Sequence, residues 1–515
     1  MRNASLAIVG GTLWAPGHPR ATAVAVDGER ISALGSDADI GALIGRSTRV
    51  IDARGGTILP AFNDAHVHFL MASRSLGELD LFGADTQPEI ERRVRDYAAS
   101  RKSEWVVGRG WFYSAFPGGM PTVALLDSLV PDRPAYIESF DAHTGWANTR
   151  ALTLAGISSE GVLKEAAMLG VTRHIPARSK GQELDALRAG MRLAASRGIG
   201  SVQEAGEGQD QLRLWEALQD AGELTLRVRL AFDMAPGLDA ATWNHILDEY
   251  DELSRDRRAD PWITTGILKS FADGVVESRT AAMLEPYPGS AERGAPLWGD
   301  QELAQAARIA DARGWQVQVH AIGDAAIRQA LDAFAGTHPA RRHRVEHIEA
   351  PAATDIARFA ELGVIASMQP QHAEPVKNLL EIWAPNLGPE RSARGWPWGS
   401  ILRSGARLAF GTDWPVVPLD PFASLHVAVS RQTLAGEPPD GWIPGERLGV
   451  GEALAAWTSG AAYAEHMDRQ KGLLEVGMLA DIAVLDRDLL STDLSQIKET
   501  KVEATAVGGR LVYES

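Results

Sequence analysis

Eight short apolar runs recur between residues 59 and 411, and their succession leaves this chain few folds to choose from. The first, Leu59-Pro-Ala-Phe-Asn-Asp-Ala-His-Val-His68, is opened by Pro60 and ends in two histidines. The others are Gly200–Glu204, Leu226–Phe232, Gly266–Phe271, Gln316–His320, His343–His347, Val364–Met368 and Arg407–Gly411. Helical segments separate several of them. The clearest is Gln182–Ala195, with Leu184, Leu187, Met191 and Ala195 on one face and Gly198 just past its end. Alternating strands and helices predict a parallel α/β fold. Eight strands in succession predict a closed (β/α)8 TIM barrel. An open doubly wound sheet is the alternative, and no glycine-rich phosphate-binding turn follows any run to favour it.

About 130 residues separate the first run from the second, too many for a simple crossover. This insertion, about 71–180, carries Trp105, Trp111, Phe112, Tyr113, Phe116 and Trp146. Long loops after barrel strands lie on the C-terminal face, where such barrels do chemistry. The insertion is therefore expected to cap the site; alternatively, its aromatics pack a small core of its own.

The two ends of the chain read differently. Leu6–Val9, Ala21–Val26, Arg30–Leu34 and Arg49–Ile51 are short β-branched runs, with a hairpin signal at Asp27-Gly28. So few strands cannot close a core alone. Leu479–Leu485 and Ala504–Tyr513, with Gly508-Gly509 as a turn, supply the missing ones. Residues 1–57 and 471–515 are expected to form one small β-sandwich beside a barrel domain spanning 58–470.

The 515 residues include no cysteine, which excludes disulfides, thiolate catalysis and Cys-ligated metals. A net charge of −16 argues against nucleic-acid or anionic-membrane partners. No segment reaches the ~18 apolar residues of a spanning helix, and the N-terminus lacks the apolar stretch of a secretion signal. These features predict a cytoplasmic protein acting on a small molecule, and they leave a homo-oligomer open.

The chemistry gathers at the C-terminal ends of the runs. His66 and His68 close the first, two apart and therefore facing the same way. Lys269 lies in the fourth, His320 ends the fifth, His347 ends the sixth and Asp413 follows the eighth. Four histidines, a lysine and an aspartate on one rim suit zinc, or another first-row divalent ion such as manganese, iron or nickel. A protonated lysine would be repelled by such a cation. Lys269 can serve as a neutral base or nucleophile, or take up carbon dioxide as an anionic carbamate bridging two metals. A salt bridge to Asp273 is the structural alternative.

Pro60…Asp64-Ala-His-Val-His68, Lys269-Ser-Phe-Ala-Asp-Gly274, His320-Ala-Ile-Gly-Asp324, Glu346-His347 and Gly411-Thr-Asp-Trp-Pro415 resemble the amidohydrolase superfamily, and within it the amidohydrolase-3 branch that includes N-substituted formamide deformylases. The resemblance runs nearly end to end, through Gly108-Arg-Gly-Trp111, Asp141-Ala-His-Thr-Gly-Trp-Ala-Asn148 and Gly472–Val484. It implies that His66, His68 and Asp413 hold one metal, that His320 and His347 hold a second, and that Lys269 bridges them as N6-carboxylysine. It also implies hydrolysis of a non-peptide C–N bond by attack of metal-bound hydroxide. Asp413 would serve as general base and then acid.

His143, between Phe140 and Trp146, is expected to reach over the rim and hydrogen-bond the substrate carbonyl or its developing oxyanion; a structural histidine bonded to a loop carbonyl is the alternative. Arg109, Trp111, Trp146, Gln369 and His372 are further pocket candidates. An aromatic-rich cap favours an N-acyl or N-formyl amide with an apolar or aromatic group. Ester or lactone hydrolysis, deamination, decarboxylation and a non-catalytic scaffold are the rival readings. The chain departs from the family pattern at Phe112-Tyr113, at Gln203-Glu204 and in the shortened stretch from Gly161 to Gly170, all of which touch expected pocket walls.

Overall fold

Strands buried on both faces stay apolar along their length, and here eight of them hydrogen-bond side by side in chain order. They are β1 (Phe62–Val67), β2 (Ile199–Glu204), β3 (Arg227–Asp233), β4 (Ile263–Phe271), β5 (Gln316–Ala321), β6 (Arg344–His347), β7 (Ile365–Met368) and β8 (Leu408–Phe410). Every neighbouring pair is parallel. The computed structural model describes residues 3–257, 260–299 and 301–515, so Met1 and Arg2 of the expected sandwich segment lie outside it.

The seam between β8 and β1 is stitched just past the strand ends. Asp413 N donates to His66 O at 2.7 Å, and His68 N donates to Trp414 O at 2.9 Å. Asp64 reinforces the seam from below: its carboxylate accepts from Thr412 N at 3.0 Å and Thr412 Oγ1 at 2.5 Å. Gly411 permits this approach, because a Cβ there would lie 2.5 Å from His66 N. The chain therefore forms a (β/α)8 barrel rather than an open sheet.

The helix expected at 182–195 spans Lys180–Ser196. Ser179 and Gln182 form a capping box that satisfies its first turn. It buries Leu187, Met191, Ala194 and Ala195. None of the described helices is long and apolar enough to cross a membrane.

Both termini build the sandwich. One sheet takes Leu6–Val9, Ala23–Asp27, Arg30–Gly35 and Arg49–Asp52; the other takes Thr12–Leu13, Thr57–Pro60, Ile482–Leu485, Val502–Val507 and Arg510–Glu514. Leu6, Ile8, Val24 and Val26 of the first sheet pack with Ile58, Ile482, Val484 and Ala504 of the second. The first hairpin turns at Gly28-Glu29, one residue beyond the expected Asp27-Gly28, with Asp27 paired to Arg30. The opening run also divides. Thr57–Pro60 pairs with Ile482–Val484 in the sandwich, and the barrel strand begins only at Phe62. Thr12–Leu13 reaches no further than Ile58, so Pro60, which lacks an amide hydrogen, leaves no partner waiting on that side.

The sandwich is bolted to the barrel floor by a buried ion pair. Arg227 Nε and Nη2 lie 2.7 and 3.0 Å from Asp481 Oδ2 and Oδ1, and the guanidinium stacks 4.3 Å from the Trp262 ring centroid. Removing one partner strands a buried charge. Asp481→Ala is expected to cost about 3–5 kcal/mol in chemical denaturation; a cost under about 1 kcal/mol, the range of an exposed pair, would contradict this role.

The insertion forms its own five-stranded sheet: Leu79–Asp80, Val106–Trp111, Ala135–Ser139, Thr144–Ala147 and Val162–Lys164. Here two expectations are corrected. Trp111 and Trp146 do not line a substrate pocket; they are fully buried in the insertion's core with Tyr113, Phe116 and Ile137. Their indole N–H groups are spent on backbone, Trp111 on Ile137 O at 3.1 Å and Trp146 on Thr122 O at 2.9 Å.

Candidate metal centre

The barrel's C-terminal mouth opens into a cavity of about 960 Å³ roofed by the insertion. His68, Lys269, His320, His347 and Asp413 face it from the barrel, and His143, Glu138 and Asp141 from the insertion. His66 lies behind them, completely buried.

Asp413 is the hub. Its backbone is left-handed (φ 61°), a conformation uncommon outside glycine, and the His66 carbonyl holds it there. Asp413 Oδ1 lies 3.6 Å from His66 Nε2 and 3.5 Å from His68 Nε2. Asp413 Oδ2 lies 3.8 Å from His347 Nδ1 and 3.8 Å from His372 Nε2. Donor atoms of His66, His347 and Asp413 all fall within 4.8 Å of one another, the spacing of ligands around one ion. The structure thus groups His347 with His66 and Asp413, whereas the expected partition paired it with His320. The His320 and His347 rings are 4.5 Å apart, and His320 Nε2 lies 3.2 Å from Gly274 O.

Among the described residues, Asp413 Oδ1, His347 Nδ1 and His372 Nε2 are buried here with no hydrogen-bond partner. Orphaned buried polar atoms are costly, and several converging on one point fit a cation as the missing partner. The protonation states agree. Burial above all holds His66, His320 and His347 well below the usual histidine range, and takes His68 down to about 3 and His372 to about 4. All five are neutral at pH 7, with lone pairs free to coordinate. Burial lifts Asp413 to about 7, against the opposing pull of Lys269.

Lys269 Nζ lies 3.4 Å from His66 Nε2 and 4.6 Å from the Phe271 ring centroid. It does not take the Asp273 salt bridge. Asp273 instead accepts from the amides of Ala282, Ile322 and Gly323 at 2.8–3.0 Å. Burial lowers Lys269 to about 8 despite Glu346 and Asp413, bringing a neutral amine within reach near neutral pH.

Behind the candidate ligands stands a buried relay; the motif reading includes Glu346-His347 but gives Glu346 no role. Glu346 Oε2 lies 2.5 Å from His66 Nδ1, and Arg344 Nε donates to Glu346 Oε1 at 2.9 Å. Arg344 also donates to Ser367 Oγ at 2.9 Å and to Ala65 O at 2.5 Å. A carboxylate on Nδ1 sets the tautomer that presents Nε2 to a metal. Two charged residues two apart in a buried strand were the available signal. Glu346→Gln is expected to weaken metal binding about 10–100-fold in chelator competition; an unchanged affinity would detach Glu346 from the centre.

The remaining pocket candidates divide. His143 lies on the cavity wall with Nδ1 2.8 Å from Glu165 Oε2. Burial alone would depress it, but Glu165, with Asp141 and Asp413, carries it up to about 9. His372 also faces the cavity. Arg109 and Gln369 sit behind the wall: Arg109 donates to Phe140 O at 3.2 Å, and Gln369 is fully enclosed. Glu204, in the departing β2 motif, reaches the cavity but accepts from Leu70 N at 3.3 Å, tying down the helix that follows His68.

A (β/α)8 barrel with imidazoles and a carboxylate converging at its C-terminal mouth is the architecture of a metal-dependent hydrolase. The chain belongs to the amidohydrolase family, whose model matches residues 49–513. Protein LONG AFTER FAR-RED 3 of Arabidopsis thaliana is 30% identical over 551 residues, covering 99% of this chain and 92% of that protein. N-substituted formamide deformylase of Arthrobacter pascens is 26% identical over 529 residues, covering 96% and 95%. The crystal structure of an uncharacterised metal-dependent hydrolase from Pyrococcus furiosus is 26% identical, covers 94% of this chain and 100% of that one, and superposes with a TM-score of 0.72.

Proposed function

We propose that this amidohydrolase cleaves a non-peptide C–N bond, an N-acyl or N-formyl amide, in a small substrate with an apolar or aromatic group. The observation that carries the reading is the convergence of unpartnered donor atoms of His347 and Asp413, beside His66, at the cavity. The similarity to N-substituted formamide deformylase supports the choice of bond. Phe82, Phe112, Phe140, Phe271, Leu169 and Leu297 give the cavity apolar walls for such a group.

His66, His347 and Asp413 would hold one zinc ion, with His68 beside them, and His320 with a carboxylated Lys269 would help to hold a second. A bound divalent ion supplies Lewis acidity at the substrate carbonyl and lowers the pKa of a coordinated water towards ~7. The protein's own groups do the rest. Asp413 accepts a proton during attack and returns it to the departing nitrogen. His143, kept protonated by Glu165, donates to the carbonyl oxygen as negative charge develops there.

A panel of N-formyl and N-acyl amines with matched esters tests this. Wild-type protein should favour the amides, and arylalkyl members over short alkyl ones. His143→Ala should lower kcat about 10²–10³-fold with an unchanged melting temperature. Turnover confined to the esters, or a His143→Ala loss confined to stability, would overturn the corresponding part.

A further inference from the structure

His143 belongs to the insertion, yet the chemistry assigned to it happens on the barrel. It sits in the turn between Ala135–Ser139 and Thr144–Ala147, next to a left-handed Ala142 (φ 60°). A turn of this kind does not by itself hold an imidazole in one orientation.

The restraint comes from elsewhere in the chain. Strand Thr144–Ala147 pairs with Val162–Lys164, and Glu165 N donates to His143 O at 3.1 Å. Glu165 is itself left-handed (φ 49°), a strained conformation for a residue with a side chain. Its carboxylate spans two bodies: Oε2 meets His143 Nδ1 at 2.8 Å, and Oε1 accepts from Thr280 Oγ1 at 2.7 Å. Thr280 lies on the loop after β4, where its hydroxyl accepts from Val275 N at 2.9 Å. Gly274 makes room for the junction, since a Cβ there would collide with both Glu165 Oε1 and Thr280 Oγ1. The same Gly274 offers its carbonyl to His320 Nε2 at 3.2 Å. The clamp is therefore built flush against the barrel mouth.

We infer that Glu165 is a positioning residue: gripped by Thr280, its carboxylate fixes the His143 ring so that Nε2 meets the substrate, and it ties the insertion to the loop after β4. The inference rests on the proposed role of His143. Neither Glu165 nor Thr280 needs to touch substrate for it to hold.

The test is a double-mutant cycle on the N-formyl or N-acyl amine that wild-type protein turns over fastest, with metal content and melting temperature checked for each variant. Glu165→Ala should lower kcat about 10–100-fold with KM changed less than about threefold. Thr280→Val, which releases the far carboxylate oxygen and also takes the acceptor from Val275 N, should lower kcat about three- to tenfold. Glu165→Gln keeps a planar hydrogen-bonding group beside the ring but not the charge that keeps His143 protonated, so its kcat should exceed that of Glu165→Ala at low pH and fall away from wild type as pH rises. In the His143→Ala background each of these substitutions should change kcat less than about twofold, since nothing remains to be positioned. Equal losses with and without His143, a loss traced to metal content, or full activity in Glu165→Ala while His143→Ala is impaired would each overturn the inference. A His143→Ala enzyme with wild-type kcat, or a wild type that turns over no amide, would instead overturn the reading beneath it.

Discussion

On the proposed mechanism, in which one carboxylate serves both the metal and the proton, Asp413→Ala is expected to remove turnover, by at least about 10³-fold in kcat. Its oxygens lie within 3.5–3.8 Å of His66, His68, His347 and His372. The two carboxylates flanking it are committed elsewhere: Asp64 to Thr412, and Glu346 to His66 and Arg344. The same substitution separates function from folding. Burial raises Asp413 to about 7 from an ordinary value near 4. A raised acid binds its proton more tightly in the folded state, so its contribution to metal-free stability is lost as pH climbs between those two values. At pH 8 the metal-free Asp413→Ala protein should therefore melt no lower than metal-free wild type. Turnover within tenfold of wild type, or a large fall in that melting temperature, would remove Asp413 from its assigned role.

Stripping the metal with a chelator should abolish turnover, and added zinc should restore it. The physical ground is the orphaned set Asp413 Oδ1, His347 Nδ1 and His372 Nε2. Each unsatisfied buried polar atom costs about 1–3 kcal/mol. An ion at 100 times its dissociation constant stabilises the fold by about 2.7 kcal/mol. Metal should consequently raise the melting temperature of wild type and fail to do so in His66→Ala. Activity that survives exhaustive chelation would exclude a metal-dependent step.

Much of this was legible in the residues because buried parallel strands cannot hide their composition. All eight barrel strands stand out as short apolar runs, and the ligand-type residues mark where those runs end. The sandwich was legible because neither terminus carried enough strands to bury a core alone. What escaped depended on how distant segments meet. Leu59–His68 reads as one strand, yet it serves two sheets, since only the neighbouring Thr12–Leu13 decides where Pro60 is tolerated. Trp111 and Trp146 look like cap aromatics until their indole N–H groups find carbonyls inside the insertion. Glu346 was readable from its spacing to Arg344. His347 then leaves the strand alternation with φ 70°, which lets consecutive residues both serve the centre. Glu165 carries no local signal, because it reaches His143 only through the pairing of Val162–Lys164.

Anomalous diffraction from crystals of the purified protein, recorded at the absorption edges of zinc, manganese, iron and nickel, tests the metal centre most directly. The expected result is a peak within coordinating distance of His66, His347 and Asp413 at one of those edges. A map with no peak there, from protein that hydrolyses an amide, would contradict a metal centre at this mouth.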